Sequence, residues 1–407
     1  MASDDIGKAR GLAVIDPHGD LAEGLLDTVP LERQDDLIYL NPFDIKHPIS
    51  INLLELTPDL SEDEAELERE LVCESVVSIL RRVFRKDENV DAHRIEYILR
   101  NAIYTAFTTT DPTIFTVYEL LTNPDFRKSA VKGLTDDNLI NFWKNEFGKA
   151  GDYQVVKMVS GVTAKIGRFL FSPIAKRILE QPKSTIDFKD IVDNWKILIA
   201  NLAEGKLGED TAQLLGTTII AKIHLAMTRR AQMESKDRKP FYLFVDEFQN
   251  FATSSFTKLL SGGRKYGLRI TIAEQSTAQQ DDRNIVNVIL ANVGTVVCFR
   301  TASPVDEDLM LAQFAPAILQ GDIANLPRHH FYIKLAAIEP QDTFSGKTMP
   351  IVTHKDQVKR DMLIEASRKN YATVYSKPIE KPKAVEPEKK IQKKTKKETS
   401  EEIGSLV

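Results

Sequence analysis

The sequence predicts an α/β fold with a mostly parallel sheet, an all-α insertion and a disordered C-terminal tail. Three observations predict it. Short apolar runs that end in polar or acidic residues recur along the chain and alternate with helical patterns, as βαβ units do. Between residues 57 and 185 the apolar residues recur at helical spacing instead. From about residue 376, Lys, Glu and Pro replace nearly all large apolar side chains, and such a composition cannot bury enough surface to fold.

The 407 residues suffice for one large α/β domain with an insertion. With 42% hydrophobic and 28% charged residues the chain falls in the soluble globular class. A net charge of -5 excludes a uniformly basic coat. Any nucleic-acid contact therefore needs a local patch or a ring of subunits. Cys73 and Cys298 are the two cysteines; they build neither a disulfide framework nor a Cys-rich zinc site, which suits a reducing cytoplasm. His329 and His330 are adjacent and would point to opposite faces of a strand, so a metal-ligand cluster is not expected. No signal peptide and no apolar run near the length of a membrane span is found.

Residues 1–56 read as the first part of the core. Leu12–Asp16 is an apolar run closed by an acid, followed by the turn Pro17-His18-Gly19-Asp20. A second strand is expected at Asp36–Leu40. Ser61 with Glu64 makes a capping box that opens the helical stretch 57–185. Leu67, Leu71, Val72, Val76, Ile79, Leu80 and Val83 then line one helix face. Ile95, Ile98, Leu99, Ala102, Ile103 and Ala106 line another. Residues 186–355 complete the core, with strands expected at Lys196–Asn201, Phe241–Asp246, Leu268–Ala273, Gly294–Phe299 and His330–Leu335. Residues 356–407 give a helical extension and the tail. Its pairs Lys389-Lys390, Lys393-Lys394 and Lys396-Lys397 could touch nucleic acid or anionic lipid, although a solvated tail accounts for them more simply.

The chemistry gathers around residues 241–249. Five apolar residues on a buried strand, ended by Asp246 and Glu247, make a Walker B pattern. The buried strand fixes both carboxylates at the sheet edge where ligands bind in open α/β folds. Asp246 is expected to hold a magnesium ion through water, and Glu247 to orient and polarise the attacking water. Taken alone, the pattern also suits a strand that ends in solvated acids. After the next strand comes Gln275, an amide able to donate to a phosphate oxygen and accept from the same water. The plainer reading of Gln275 is a strand-end polar residue.

These residues carry a resemblance. FYLFVDEFQNF (241–251) through LLSGGRKYGLRITIAEQSTAQQ (259–280) resembles the Walker B to motif III region of TraG/TraD-type conjugative coupling proteins, in the HerA/FtsK superfamily. GLAVIDPHGDLAEGLL (11–26), NLAEGKLGEDTAQLLG (201–216), ANVGTVVCFR (291–300) and FYIKL (331–335), with FSGKT (344–348) downstream, also match their places in that family. The resemblance implies a RecA-like P-loop NTPase core that hydrolyses ATP with Mg2+. It further implies hexameric rings that pass DNA, single-stranded or relaxase-bound, through a type IV secretion apparatus. Relaxosome or secretion-channel proteins are the implied partners, and the cytoplasmic face of the inner membrane the implied location. Arg264 matches the arginine finger that completes a neighbour's site in trans, where its plainer role is a cation at a helix C-terminus. Arg300 is a weaker candidate for a further phosphate contact. Asp16, at a strand end facing the expected cleft, is a weaker candidate for cofactor contact. The roles of Asp16, His18 and Asp20 stay open, because a turn built on Pro17 and Gly19 explains that motif equally well.

One part of the pattern is missing. A phosphate cradle needs Gly-x-x-x-x-Gly-Lys-Ser/Thr between a strand and a helix, and Gly346-Lys347-Thr348 supplies only the ending, with Gln341 where the first glycine belongs. In the family this loop lies a few dozen residues before the 12–16 strand. The expectation is that the Walker A portion and any membrane anchor lie outside the 407 residues. The chain by itself would then bind ATP weakly, turn it over slowly if at all, and carry an unpaired sheet edge. Two other readings remain: a non-catalytic ring or substrate-recruiting module without a P-loop, and a pilus-assembly secretion ATPase.

Overall fold

Short apolar runs with no polar alternation belong to strands buried on both faces, and β1 (Gly11–Asp16) shows it, with every residue buried. The computed structural model describes residues 1–58, 60–84, 92–149, 152–277, 283–335, 341–350 and 355–375. The lysine-rich tail lies outside the described residues. β1 pairs in parallel with β3 (Ile197–Asn201) on one side and β4 (Phe241–Val245) on the other. β2 (Leu37–Leu40) extends the sheet beyond β3, and β5 (Leu268–Ile272) extends it beyond β4. The order is β2-β3-β1-β4-β5, parallel throughout. Ala13, Ile15, Leu198, Ala200, Leu243 and Val245 face the larger core, while Leu12, Val14, Ile197, Ile199 and Phe244 face a smaller one. Among the described residues β5 pairs with β4 alone, and its Arg269 is exposed.

Between β2 and β3 the described chain is helical, with Glu62–Phe84, Ala92–Ala106, Ile114–Thr122, Pro124–Lys132, Asp152–Phe171 and Pro173–Leu179 as its main helices. Ser61 N–H donates to Glu64 Oε2 at 3.0 Å and Glu64 N–H returns to Ser61 Oγ at 3.4 Å, closing the capping box. The segments that lead in and out are stitched together. Ile51 N–H donates to Ile178 O at 2.9 Å, and Thr185 N–H to Ser50 O at 3.1 Å. The helices do not build a core of their own. Val72, Val76, Leu80, Ile98 and Ile103 join the same cluster as Leu198 and Val245.

The last strands differ from the expected single parallel sheet. β6 (Thr295–Phe299), β7 (His330–Leu335) and β8 (Phe344–Lys347) form a separate antiparallel sheet in that order. β8 escaped the sequence reading because Ser345-Gly346 carries no strand signal. A Cβ on Gly346 would lie 2.5 Å from the Phe331 ring, so the glycine makes room for an aromatic neighbour across the ladder. That assigns Gly346-Lys347-Thr348 to a strand end and not to a phosphate loop.

The helix Gln357–Tyr371 returns to the parallel sheet, where Tyr39 N–H donates to Ser367 Oγ at 2.8 Å. Arg360 forks onto Asp27 at 2.5 and 2.6 Å, and the Asp27 side chain is 2% exposed. The hydrogen bonds from that guanidinium hold the Asp27 carboxyl below its usual range. A depressed folded-state value stabilises fully above the unfolded value and is lost as pH falls through the folded one. Urea unfolding of Asp27→Asn is therefore expected to show a loss of about 2 kcal/mol at pH 7. The difference from wild type should shrink below about pH 4; an unchanged midpoint at pH 7 would remove the pair from the account of how this helix is held.

Candidate active site

The parallel strands bring their C-terminal ends to one edge, and the ladder continues past them. Leu202 N–H donates to Asp16 O at 2.8 Å, Asp246 N–H to Ile15 O at 3.0 Å, Ala273 N–H to Val245 O at 3.0 Å and Phe248 N–H to Ala273 O at 2.8 Å. These bonds keep the segments after β1, β3, β4 and β5 side by side. Glu247 departs from the strand with φ 45° and ψ 52°, a left-handed conformation that costs a residue with a Cβ about 1–2 kcal/mol. Buried aromatics hold the turn in place. The Phe248 and Phe256 rings lie 4.4 Å apart, and Phe251 packs so closely on Gly216 that a Cβ there would meet its ring at 2.2 Å.

The turn aims the Glu247 carboxylate at three side chains. Gln275 Nε2 donates to Oε1 at 2.6 Å, Gln249 Nε2 donates to Oε2 at 2.6 Å, and His18 Nε2 stands 3.4 Å from Oε1. Glu247 and Gln249 are each only 7% exposed. Gln275 thus meets Glu247 directly, as adjacent parallel strands should allow. Its position is tied down from behind. Asp306, near the start of the helix Pro304–Phe314, accepts from Ser276 Oγ at 2.7 Å, from Thr277 N–H at 3.0 Å and from the Thr277 hydroxyl. Burial pushes the Asp306 carboxyl up, and the hydrogen bonds from Thr277, Ser276 and Ser303 outweigh it, so the group sits below its usual range.

Asp246, beside Glu247, is half-buried. Burial raises its carboxyl above the usual range, and the charges of Glu247 and Asp16 add to the rise. Three acids so placed repel one another, and a divalent cation at Asp246 would relieve that repulsion. Among the described residues no three His, Cys, Asp or Glu side chains converge into a ready-made metal cage. A magnesium ion suits this edge, because it keeps water and phosphate oxygens as most of its ligands.

The other expected residues lie elsewhere. Asp16 is fully buried, and both its oxygens accept backbone N–H groups, from His18 and from Ala22, each at 2.8 Å. It staples the turn and caps the helix Asp20–Leu26, while the exposed His18 ring reaches Glu247. Arg264 is exposed on the turn Gly263–Tyr266, ahead of β5. Five strand residues separate it from the Gln275 edge, roughly 16 Å at the usual rise. Buried Arg230 braces that turn through Lys239 O at 2.7 Å, Tyr266 O at 3.3 Å and Asp193 Oδ1 at 2.8 Å. Arg300 is exposed just after β6, in the second sheet. Sequence reasoning missed Gln249 as a partner of Glu247; its one signal was the spacing of two residues from that acid.

A family model described as the TraM recognition site of TraD and TraG matches residues 240–310, from β4 into the helix Pro304–Phe314. Among curated proteins none matches the chain in sequence. Solved structures do match. The plasmid coupling protein TrwB in complex with ADP and Mg2+ is 18% identical with a TM-score of 0.62, covering 87% of this chain and 82% of that one. TrwB with the non-hydrolysable GTP analogue GDPNP is 18% identical with a TM-score of 0.60, covering 88% and 83%. At that identity the similarity establishes the fold alone, a RecA-like α/β core. The family model covers 71 of the 407 residues (240–310), and the structural likeness extends over most of the chain.

Proposed function

We propose, on the premise that this chain is a TraG/TraD-type coupling protein, that it is the ATP-driven motor of a conjugative type IV secretion system. In this reading it moves DNA, or a DNA–protein conjugate, through a hexameric ring. The observation that carries the reading is the direct contact of Gln275 with Glu247 at the ends of adjacent parallel strands. Bound Mg2+ supplies charge neutralisation on the nucleotide phosphates. Asp246 would hold it through water, and Glu247 would accept hydrogen bonds from the attacking water and align it. Gln275 would exchange its bond to Glu247 for one to the water or phosphate. Arg264, too far from its own chain's Glu247, would serve a neighbour's site. The helical residues 57–185 are proposed as a substrate-recruiting insertion, and residues 240–310 as a contact for a relaxosome partner. The cytoplasmic face of the inner membrane is the proposed location; among the described residues no helix is long and apolar enough to cross a membrane.

No phosphate cradle occurs within these 407 residues, which keeps a non-catalytic, ring-forming module as the second reading. The two are separated by measuring MgATP binding and hydrolysis on this chain and on one extended along its upstream reading frame. The motor reading expects weak binding and little turnover from the first and a large gain from the second. Turnover by this chain equal to that of the extended one would overturn the role given to a missing loop. DNA binding supplies a separate test. Affinity for single-stranded DNA should fall with salt at a log–log slope near −0.7 for each phosphate neutralised; no detectable binding by the ring would favour the pilus-assembly reading.

A further inference from the structure

We propose that His18 is a positioning residue for Glu247, holding its carboxylate from the solvent side of the cleft. The inference rests on the reading of Glu247 as the water-polarising acid. It starts from an asymmetry among the three groups around that carboxylate. Gln249, 7% exposed, closes the inner side, and Gln275 comes from the neighbouring strand. His18 is 47% exposed and faces the same oxygen as Gln275, with Nε2 at 3.4 Å from Oε1. It therefore stands where water or a phosphate would approach.

The imidazole is built into place by backbone chemistry. Asp16 accepts the His18 N–H at 2.8 Å, and Glu204 N–H donates to Pro17 O at 2.8 Å. Gly19 takes φ 92°, and a Cβ there would meet Asn201 Oδ1 at 2.7 Å, so the turn fits closely on the end of β3. The second ring nitrogen, Nδ1, faces Glu204 Oε1 at 3.9 Å. The tautomer with its N–H on Nε2 would turn a donor toward Glu247 Oε1. Gly19 and Asp16 thus set the height of the ring, and the ring limits how far Glu247 can swing toward the cleft. The Asp-Pro-His-Gly segment is a support for the acid of a different strand, and its His is the member that makes contact.

The test uses the full chain labelled with 15N and needs no nucleotide. The side-chain amide signals of Gln249 and Gln275 report where Glu247 sits. His18→Ala is expected to displace both, with the thermal unfolding midpoint showing that the fold is kept. His18→Gln, which restores an N–H donor of similar reach, should bring both signals back toward their wild-type positions. Unmoved amide signals in His18→Ala overturn the proposal, as do equal displacements in both variants, which would mean that ring volume and not donation matters. A second measurement reads the pair from the other side: Glu247→Gln should move the His18 ring 15N signals, and stationary ring signals count against the contact. A chain that proves unable to hydrolyse ATP in any form would refute the motor reading while leaving these signals to decide the His18 contact.

Discussion

Glu247→Gln is expected to lower ATP turnover by about 10²–10⁴-fold, the usual contribution of a positioned general base, while nucleotide binding changes little. The measurement belongs on protein that hydrolyses MgATP, with binding and steady-state hydrolysis read on the same preparation. Glutamine keeps the shape of the side chain and one acceptor oxygen. It also places an NH2 where Glu247 now accepts from Gln275 or from Gln249, each at 2.6 Å. One of those contacts becomes donor against donor, so the loss should come with altered order at Gln275 or at Gln249. A variant with unchanged turnover would remove Glu247 from the chemistry and leave the cluster as a structural knot. Asp246→Asn provides the contrast. It should weaken Mg2+-dependent binding itself, because the charge it removes is the one next to which a cation would sit.

Arg264→Ala is expected to cost about 10³–10⁵-fold in turnover, as loss of an arginine finger does, with assembly and nucleotide binding retained. The geometry adds a sharper form of this prediction. Since β5 holds Arg264 and Gln275 at opposite ends of one strand, an arginine lost from one subunit should disable only its neighbour's site. Mixing Arg264→Ala with Glu247→Gln subunits should then recover activity that neither shows alone, because some interfaces combine an intact arginine with an intact acid. Mixtures that stay as inactive as their components would argue that Arg264 acts on no neighbour. A second arginine behind the turn offers a milder lesion. Arg238 Nη1 donates to Lys265 O at 2.8 Å, so Arg238→Ala should lower turnover less than loss of Arg264 and leave the fold intact.

The strand pattern was legible because burial on both faces leaves one kind of sequence, a continuous apolar run. Leu12–Ile15, Ile197–Ala200 and Phe241–Val245 show it, and they became the three middle strands. Ser61 and Glu64 were legible for a local reason, since a capping box needs only residues three apart. β8 was not, because Ser345-Gly346 has meaning only opposite Phe331. The separation of β6, β7 and β8 into their own antiparallel sheet was equally hidden, since periodicity along a strand does not tell which neighbour it pairs with.

The sequence by itself determined the strands of the parallel sheet and their alternation with helices, the helical stretch between β2 and β3, and the residue types at the strand ends, Asp246, Glu247 and Gln275 among them. Only the tertiary structure decided what those residues touch. Glu247 could be read as an acid after a strand, but not as a buried carboxylate in a left-handed turn with Gln249, Gln275 and His18 around it. Asp16 could be read as facing a cleft, yet its oxygens are taken up by the N–H groups of His18 and Ala22. The physical reason is range. Apolar periodicity and caps act between residues a few positions apart, whereas the contacts of residues 18 and 275 with Glu247 exist only once the sheet has set β1, β4 and β5 side by side.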